Sequence, residues 1–223
     1  MPSPRFYRNP SGLNKSYALR GDEKPACLIL AEGSAEAWFL ERWLDVAGCN
    51  PSDVAVVCFE GQSQLGANFR SLVEEENFSG VKKLGFLLDA EKLSGPAVAD
   101  SIRQMLQRNG LIPKTSTLSA GVPADINGIR IAVHVSPDNL SPGFVEHVVL
   151  NEIRTHQWAS CINAFEAAIV GVGRSAYPKT LVSAFLGIHE AGLCGTQHGF
   201  SKGYLDVMHD AYADIRTTLS HLI

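Results

Sequence analysis

Four short runs of near-continuous aliphatic residues, each closed by a turn signal, constrain this chain more than any other feature. They are residues 26–31 (ACLILA), 54–59 (VAVVCF), 83–88 (KLGFLL) and 129–135 (IRIAVHV). A strand with one face in water alternates apolar and polar residues, whereas a strand covered on both faces reads as an unbroken apolar run. Longer amphipathic stretches separate the runs. Gly33 and Ser34 supply a turn and N-cap before a helix ending near Val46, in which Trp38, Phe39, Trp43 and Leu44 recur at helical spacing. Residues 65–75 and 97–109 predict two further helices, the second stopped by Gly110. Buried strands alternating with helices predict an α/β fold with a mainly parallel, Rossmann-like sheet, right-handed crossovers and helices on both faces. Such sheets bind ligands at the carboxyl ends of their strands.

After about residue 141 the pattern is helical, over residues 143–154, 158–170, 179–190 and 211–222, with residues 192–203 read as a loop. The organisation that follows is an N-terminal extension over 1–24, an α/β core over 25–140, and a helical C-terminal part over 141–223 packed on that core.

Charge and cysteine usage narrow the function classes. With 19 Lys and Arg against 23 Asp and Glu the net charge is −4, so there is no global field to hold a polyanion and any nucleic-acid contact needs a local basic patch. Arg5, Arg8, Lys15 and Arg20 ahead of the first strand are one candidate. No apolar segment approaches the roughly 20 residues that cross a bilayer, and the first 24 residues lack the apolar run of an export signal. The five cysteines form no CxxC pair. These features predict a cytoplasmic protein with free thiols and no membrane partner.

The strand ends carry the chemistry. The first run leads directly into Glu32 and Gly33, and the third into Asp89, Ala90 and Glu91. Acids delivered to one edge of a sheet repel one another and invite a hard cation, and an oxygen-only donor set suits Mg²⁺. The fourth run ends just before Pro137-Asp138-Asn139, which would bring Asp138 to the same edge as Asp89. A helix starting at Pro142 and Gly143 would then point Glu146, in its first turn, back across the strand ends. Each of these acids also has a plainer reading as a solvated loop residue or an acid at a helix N-terminus.

These residues resemble a family. Ala31, Glu32, Gly33 and Glu36 resemble the Glu-Gly signature that closes the first strand of Toprim domains, and Asp89-Ala90-Glu91 resembles their Asp-x-Asp motif. Over about residues 25–222, Pro137-Asp138-Asn139, Gly143, Glu146, a stretch from Ala184 to Gly195 and Gly203-Tyr204-Leu205-Asp206 resemble an uncharacterised family of Toprim-like domains of unknown function. Its relatives include nucleases of the overcoming-lysogenization-defect type. Glu91 stands where the motif usually has Asp, and Glu36 where Asp is common. The resemblance implies Mg²⁺- or Mn²⁺-dependent phosphoryl transfer on DNA or RNA, nuclease-like. Glu32 would be the general acid or base, and Asp89 and Glu91 would hold the ion with Asp138 and Glu146. The alternative is a non-catalytic Toprim-like module that binds metal or nucleotide.

Other motifs read as structure. Gly61-Gln62-Ser63-Gln64-Leu65-Gly66 has Leu65 where a nucleophile elbow needs its final glycine, which leaves at most an anion-binding turn. His189, Cys194 and His198 fit no zinc-finger spacing and read as a polar loop. His134, Cys27 and Cys58 lie in strands, and the Trp38, Phe39 and Trp43 group reads as core.

Overall fold

Both faces of the central sheet are apolar because successive residues of each strand point to opposite sides and are aliphatic on both. The computed structural model describes residues 5–8, 25–50 and 53–223. Its strands are β1 (Arg5–Arg8), β2 (Cys27–Ala31), β3 (Val54–Cys58), β4 (Lys83–Asp89), β5 (Ala124–Ile126) and β6 (Ile129–Ser136). Among the described residues they form one six-stranded sheet in the order β1-β3-β2-β4-β6-β5. Every pairing is parallel except that of β5 with β6. The three-residue hairpin partner β5 departs from the sequence expectation, its burial too shallow to leave an aliphatic run.

The helices α1 (Ser34–Val46), α2 (Gln62–Val73) and α3 (Gly95–Arg108) follow β2, β3 and β4 in turn. Leu28, Leu30, Ala55 and Val57 face a cluster built with Leu65 and Phe69 of α2 and Val98 and Ile102 of α3. Ile29, Ala31, Val56 and Cys58 face the other cluster, built with Phe39 and Trp43 of α1. On α1 the buried positions run Glu36, Ala37, Phe39, Leu40, Trp43 and Leu44, a stripe three and four residues apart. Burying each large apolar side chain of that stripe stabilises the fold by about 1.5–3 kcal/mol.

The helical half completes the α1 side of the sheet. It contains α4 (Val145–Ile153), α5 (Ala159–Gly171), α6 (Pro178–His189), α7 (Thr196–Lys202) and α8 (Ala213–Ser220). Val149, Phe185, Phe200, Ile215 and Leu222 belong to the same apolar cluster as the strands. Residues 192–203, expected as a loop, hold α7, whose Phe200 meets Phe39 edge-on at 5.4 Å. Gly85 in β4 lets Leu222 rest on the sheet, since a Cβ there would lie 2.7 Å from Leu222 Cδ1. Glu152 of α4 ties the half together by accepting from the Asp206 N–H at 2.7 Å and from the buried Tyr212 hydroxyl. His134 is fully buried, with no partner for Nε2. Burial holds its ring neutral and pushes its pKa down to about 4. Apart from the backbone of β1, the N-terminal extension and the basic side chains assigned to it lie outside the described residues.

Candidate active site

Glu32 begins where β2 ends, and its backbone N–H still donates to Leu87 O at 3.0 Å, so it leaves the sheet in register with β4. The Asp89 N–H donates to Glu32 Oε2 at 3.0 Å. Gln62, the first residue of α2, donates from Nε2 to the same Oε2 at 3.1 Å and to the Asp89 carbonyl at 2.6 Å. Gly61 before it has φ 120°, a conformation glycine adopts without strain, and its N–H donates to Glu32 O at 2.8 Å. The turn after β3 is therefore tied to the end of β2 through both main chain and side chain.

Three more carboxylates surround Glu32. Glu36, in the first turn of α1, accepts the Gly33 N–H on Oε2 at 3.0 Å. Asp89 accepts the Val145 N–H, at the start of α4, on Oδ1 at 2.7 Å. Glu146 accepts the Thr196 hydroxyl on Oε1 at 3.0 Å, while its buried Oε2 has no partner. All four acids are at most 9% exposed. They line one open cleft of about 220 Å³, together with Lys179 and Gln197. Lys179 Nζ also lies 5.2 Å from the centre of the Phe144 ring.

Burial and mutual repulsion dominate the electrostatics. Burial, then the charges of Glu36, Glu32 and Glu146, push the Asp89 carboxyl up to about 9. Burial, followed by the charges of Glu146 and Glu32, pushes Glu36 up to about 7. Burial also raises Glu32, against the hydrogen bonds from the Asp89 N–H and Gln62, which favour its anion. Carboxyls held protonated near neutrality by their neighbours are groups whose protons a cation can displace.

The donor chemistry fits Mg²⁺. Each carboxylate has one oxygen fixed by a protein donor, and the unpartnered Glu146 Oε2 is a buried acceptor of the kind that proteins rarely leave unsatisfied. Among the described residues no three His, Cys, Asp or Glu side chains already stand in a coordinating arrangement. Mg²⁺ usually keeps several waters and takes one or two carboxylates, so a complete protein shell is not required of it.

Of the residues singled out in the sequence, Glu32, Asp89 and Glu146 meet in this cleft. Glu91 does not line it: it stands exposed just past β4 with φ 52°, its N–H donating to Gly143 O at 2.7 Å, and its charge acts on Glu32 from outside. Asp138 is turned into its own loop, accepting from the Leu140 N–H, the Ser141 N–H and the Ser141 hydroxyl at 3.0, 2.7 and 2.9 Å. Those bonds, the Ser141 N–H foremost, hold its carboxyl below the usual range and occupy both of its oxygens. Glu36, quoted with the Glu-Gly signature but given no role there, takes a place in the cleft from the first turn of α1. Gln62, Lys179, Thr196 and Gln197 carried no such signal, being neutral or far away in sequence.

A family model described as "Protein of unknown function (DUF3226)" matches residues 27–223. No curated protein matches the chain. Among solved structures, the chain is similar to a hypothetical protein from Pyrococcus horikoshii OT3, with TM-score 0.54 and 13% identity over 89% of this chain and 95% of that one. That likeness is one of fold. Among the described residues no helix is long and apolar enough to cross a membrane.

Proposed function

The chain belongs to the DUF3226 family of proteins of unknown function, and we propose that its acidic cleft is a Mg²⁺-dependent phosphoryl-transfer site acting on nucleic acid, nuclease-like and Toprim-like in its arrangement. The observation that carries this reading is the buried, unpartnered Glu146 Oε2 among four converging carboxylates. The resemblance of Glu32-Gly33 and Asp89-Ala90-Glu91 to Toprim motifs supports it, as does the pairing of β2 with β4, which sets those motifs side by side.

Asp89, Glu36 and Glu146 would hold the ion, which when bound supplies charge neutralisation for a phosphoryl group and a polarised water. Glu32 is the proton-transfer residue. Its Oε2 is engaged by two N–H donors, which leaves Oε1 to take or give a proton at the cleft. Among the described residues Lys179 is the one cationic side chain lining the cleft, and it offers its ammonium to a phosphate oxygen.

A second reading, a metal- or nucleotide-binding module without turnover, is favoured by the cleft's having a single lysine among the described residues and by the net charge of −4. Incubation of the protein with single-stranded and duplex DNA and RNA, with Mg²⁺, Mn²⁺ or chelator, separates the two. Cleavage that needs the ion and vanishes in Glu32→Gln supports the enzyme. A Mg²⁺-induced thermal shift without turnover supports the module, and neither cleavage nor a shift with Mg²⁺, Mn²⁺ or added nucleotide removes both.

A further inference from the structure

We propose that Gln62 is a positioning residue for Glu32: its amide clamps the Glu32 carboxylate to the end of β4, so that Oε2 is turned into the protein and Oε1 is presented to the cleft. The inference rests on the reading of the cleft as a cation-dependent site. A primary amide nitrogen carries two protons, and both of those on Gln62 Nε2 have acceptors, Glu32 Oε2 at 3.1 Å and the Asp89 carbonyl at 2.6 Å. The opposite amide orientation would set Gln62 Oε1 against a carboxylate and a carbonyl, two acceptors, so the network admits only one assignment. The Asp89 N–H donates to the same Glu32 oxygen at 3.0 Å, which closes a small ring of hydrogen bonds joining β2, β4 and the first residue of α2.

Gln62 does not serve its own helix. The first turn of α2 has no side-chain cap, and a polar residue at its first position would ordinarily be free to face water. Here the side chain reaches back over two strand ends instead. The backbone of the same turn grips Glu32 as well, through the Gly61 N–H on Glu32 O at 2.8 Å. A glutamate side chain has several rotatable bonds, whereas a functional carboxylate must be held to about 0.5 Å by the groups around it. Gln62 and the Asp89 N–H are those groups. Thr196 treats Glu146 in the same way, but with one bond to one oxygen rather than a bridge between two strands.

The test uses two variants and two readouts. Gln62→Leu keeps the size of the side chain and removes both donors, while Gln62→Asn keeps the donors on a stem one methylene shorter. In the metal-free protein, hydrogen exchange at the Asp89 amide is followed by NMR, and Mg²⁺ affinity is measured by calorimetry on the same samples. The expected result in both variants is exchange at Asp89 at least about tenfold faster with the melting temperature little changed, and Mg²⁺ affinity weakened about tenfold, because the amide that clamps Glu32 also holds the main chain of Asp89, one of the acids that would hold the ion, and this is the usual scale for a group that orients a ligand. Unchanged Asp89 exchange in both variants overturns the proposal whatever the ion does. Faster exchange with wild-type Mg²⁺ affinity overturns the positioning role and leaves a structural tie. Faster exchange in variants of a wild type that binds no Mg²⁺ keeps the clamp and removes the cation reading of the cleft. If Gln62→Leu does not fold, Gln62→Asn carries both measurements alone.

Discussion

Asp89 and Glu32 are joined across neighbouring strands by a bond in which the backbone N–H of one acid donates to the side chain of the other, Glu32 Oε2, at 3.0 Å. The two acids are thus tied together at the sheet edge; burial raises both, the Asp89 N–H and Gln62 opposing the rise of Glu32 while the charges of Glu36, Glu32 and Glu146 add to that of Asp89. Both acids are pushed toward the protonated form by burial, but only Glu32 has that push opposed by both a main-chain N–H and a side-chain amide, and such a difference in environment is what acid and base roles are assigned from.

Metal-free stability should fall as pH rises. Asp89 is raised from 3.8 to about 9 and Glu36 from 4.5 to about 7, so between those limits the folded protein holds protons that the unfolded chain has released. Stability is then fully present below about pH 4 for this contribution and is lost progressively up to about pH 9, with a slope of at most about 1.4 kcal/mol per pH unit for each retained proton. Asp89→Asn should flatten the dependence. Urea melts in chelator from pH 5 to 9 on wild type and Asp89→Asn would show it, and parallel curves for the two would count against it.

Added Mg²⁺ should reverse that trend, since an ion that binds only the folded state stabilises it by mass action and meets less proton competition at high pH. Glu146→Gln should reduce the Mg²⁺-induced rise in melting temperature. Equal rises in wild type and Glu146→Gln across a full titration would leave Glu146 as a buried acid held by Thr196 and nothing more.

Glu32→Gln should abolish ion-dependent cleavage and change folding stability by less than about 1 kcal/mol, because an amide oxygen can still accept from the Asp89 N–H and from Gln62. Single-turnover assays on the substrates that wild type cleaves, paired with thermal melts, separate loss of chemistry from loss of fold. Retained cleavage would move the proton-transfer role elsewhere.

Two changes remote from the cleft should act on stability alone. Gly85→Val places a side chain where Leu222 and Ile29 already meet, at 2.7 and 3.2 Å from the new Cβ, and should destabilise by about 1–3 kcal/mol. Tyr212→Phe removes a buried donor from Glu152, leaving it the Asp206 N–H, and should destabilise by about 1–3 kcal/mol. Chemical denaturation of both variants checks these values, with Mg²⁺ affinity expected to stay at wild type in each.

The parallel strands were legible in the sequence because double-sided burial writes itself as uninterrupted aliphatic residues, as in Ile29, Leu30 and Ala31. The antiparallel strand Ala124–Ile126 left no such trace, and α7 is concealed among glycines and polar residues around one anchoring Phe200. Glu32 and Asp89 could be read as a pair because they end strands. Asp138 shares that sequence position but lies in a loop whose hydroxyl and N–H groups satisfy it locally, and sequence proximity to a strand end does not reveal such local bonding. Gln62 stayed hidden for the opposite reason: a neutral amide carries no charge signature, and its partners are 27 and 30 positions away.

The cleft draws Glu32, Glu36 and Asp89 from the sheet half and Glu146 and Lys179 from the helical half, which share one apolar cluster. A chain synthesised only as far as the sheet half lacks both the wall that carries Glu146 and the lysine, so on the proposed reading cation binding and any turnover would arise only after synthesis has passed Lys179 and the second half has closed over the first. On the same reading, proteolytic separation at the junction would extinguish both properties together, and ion affinity would gauge whether a given molecule is whole.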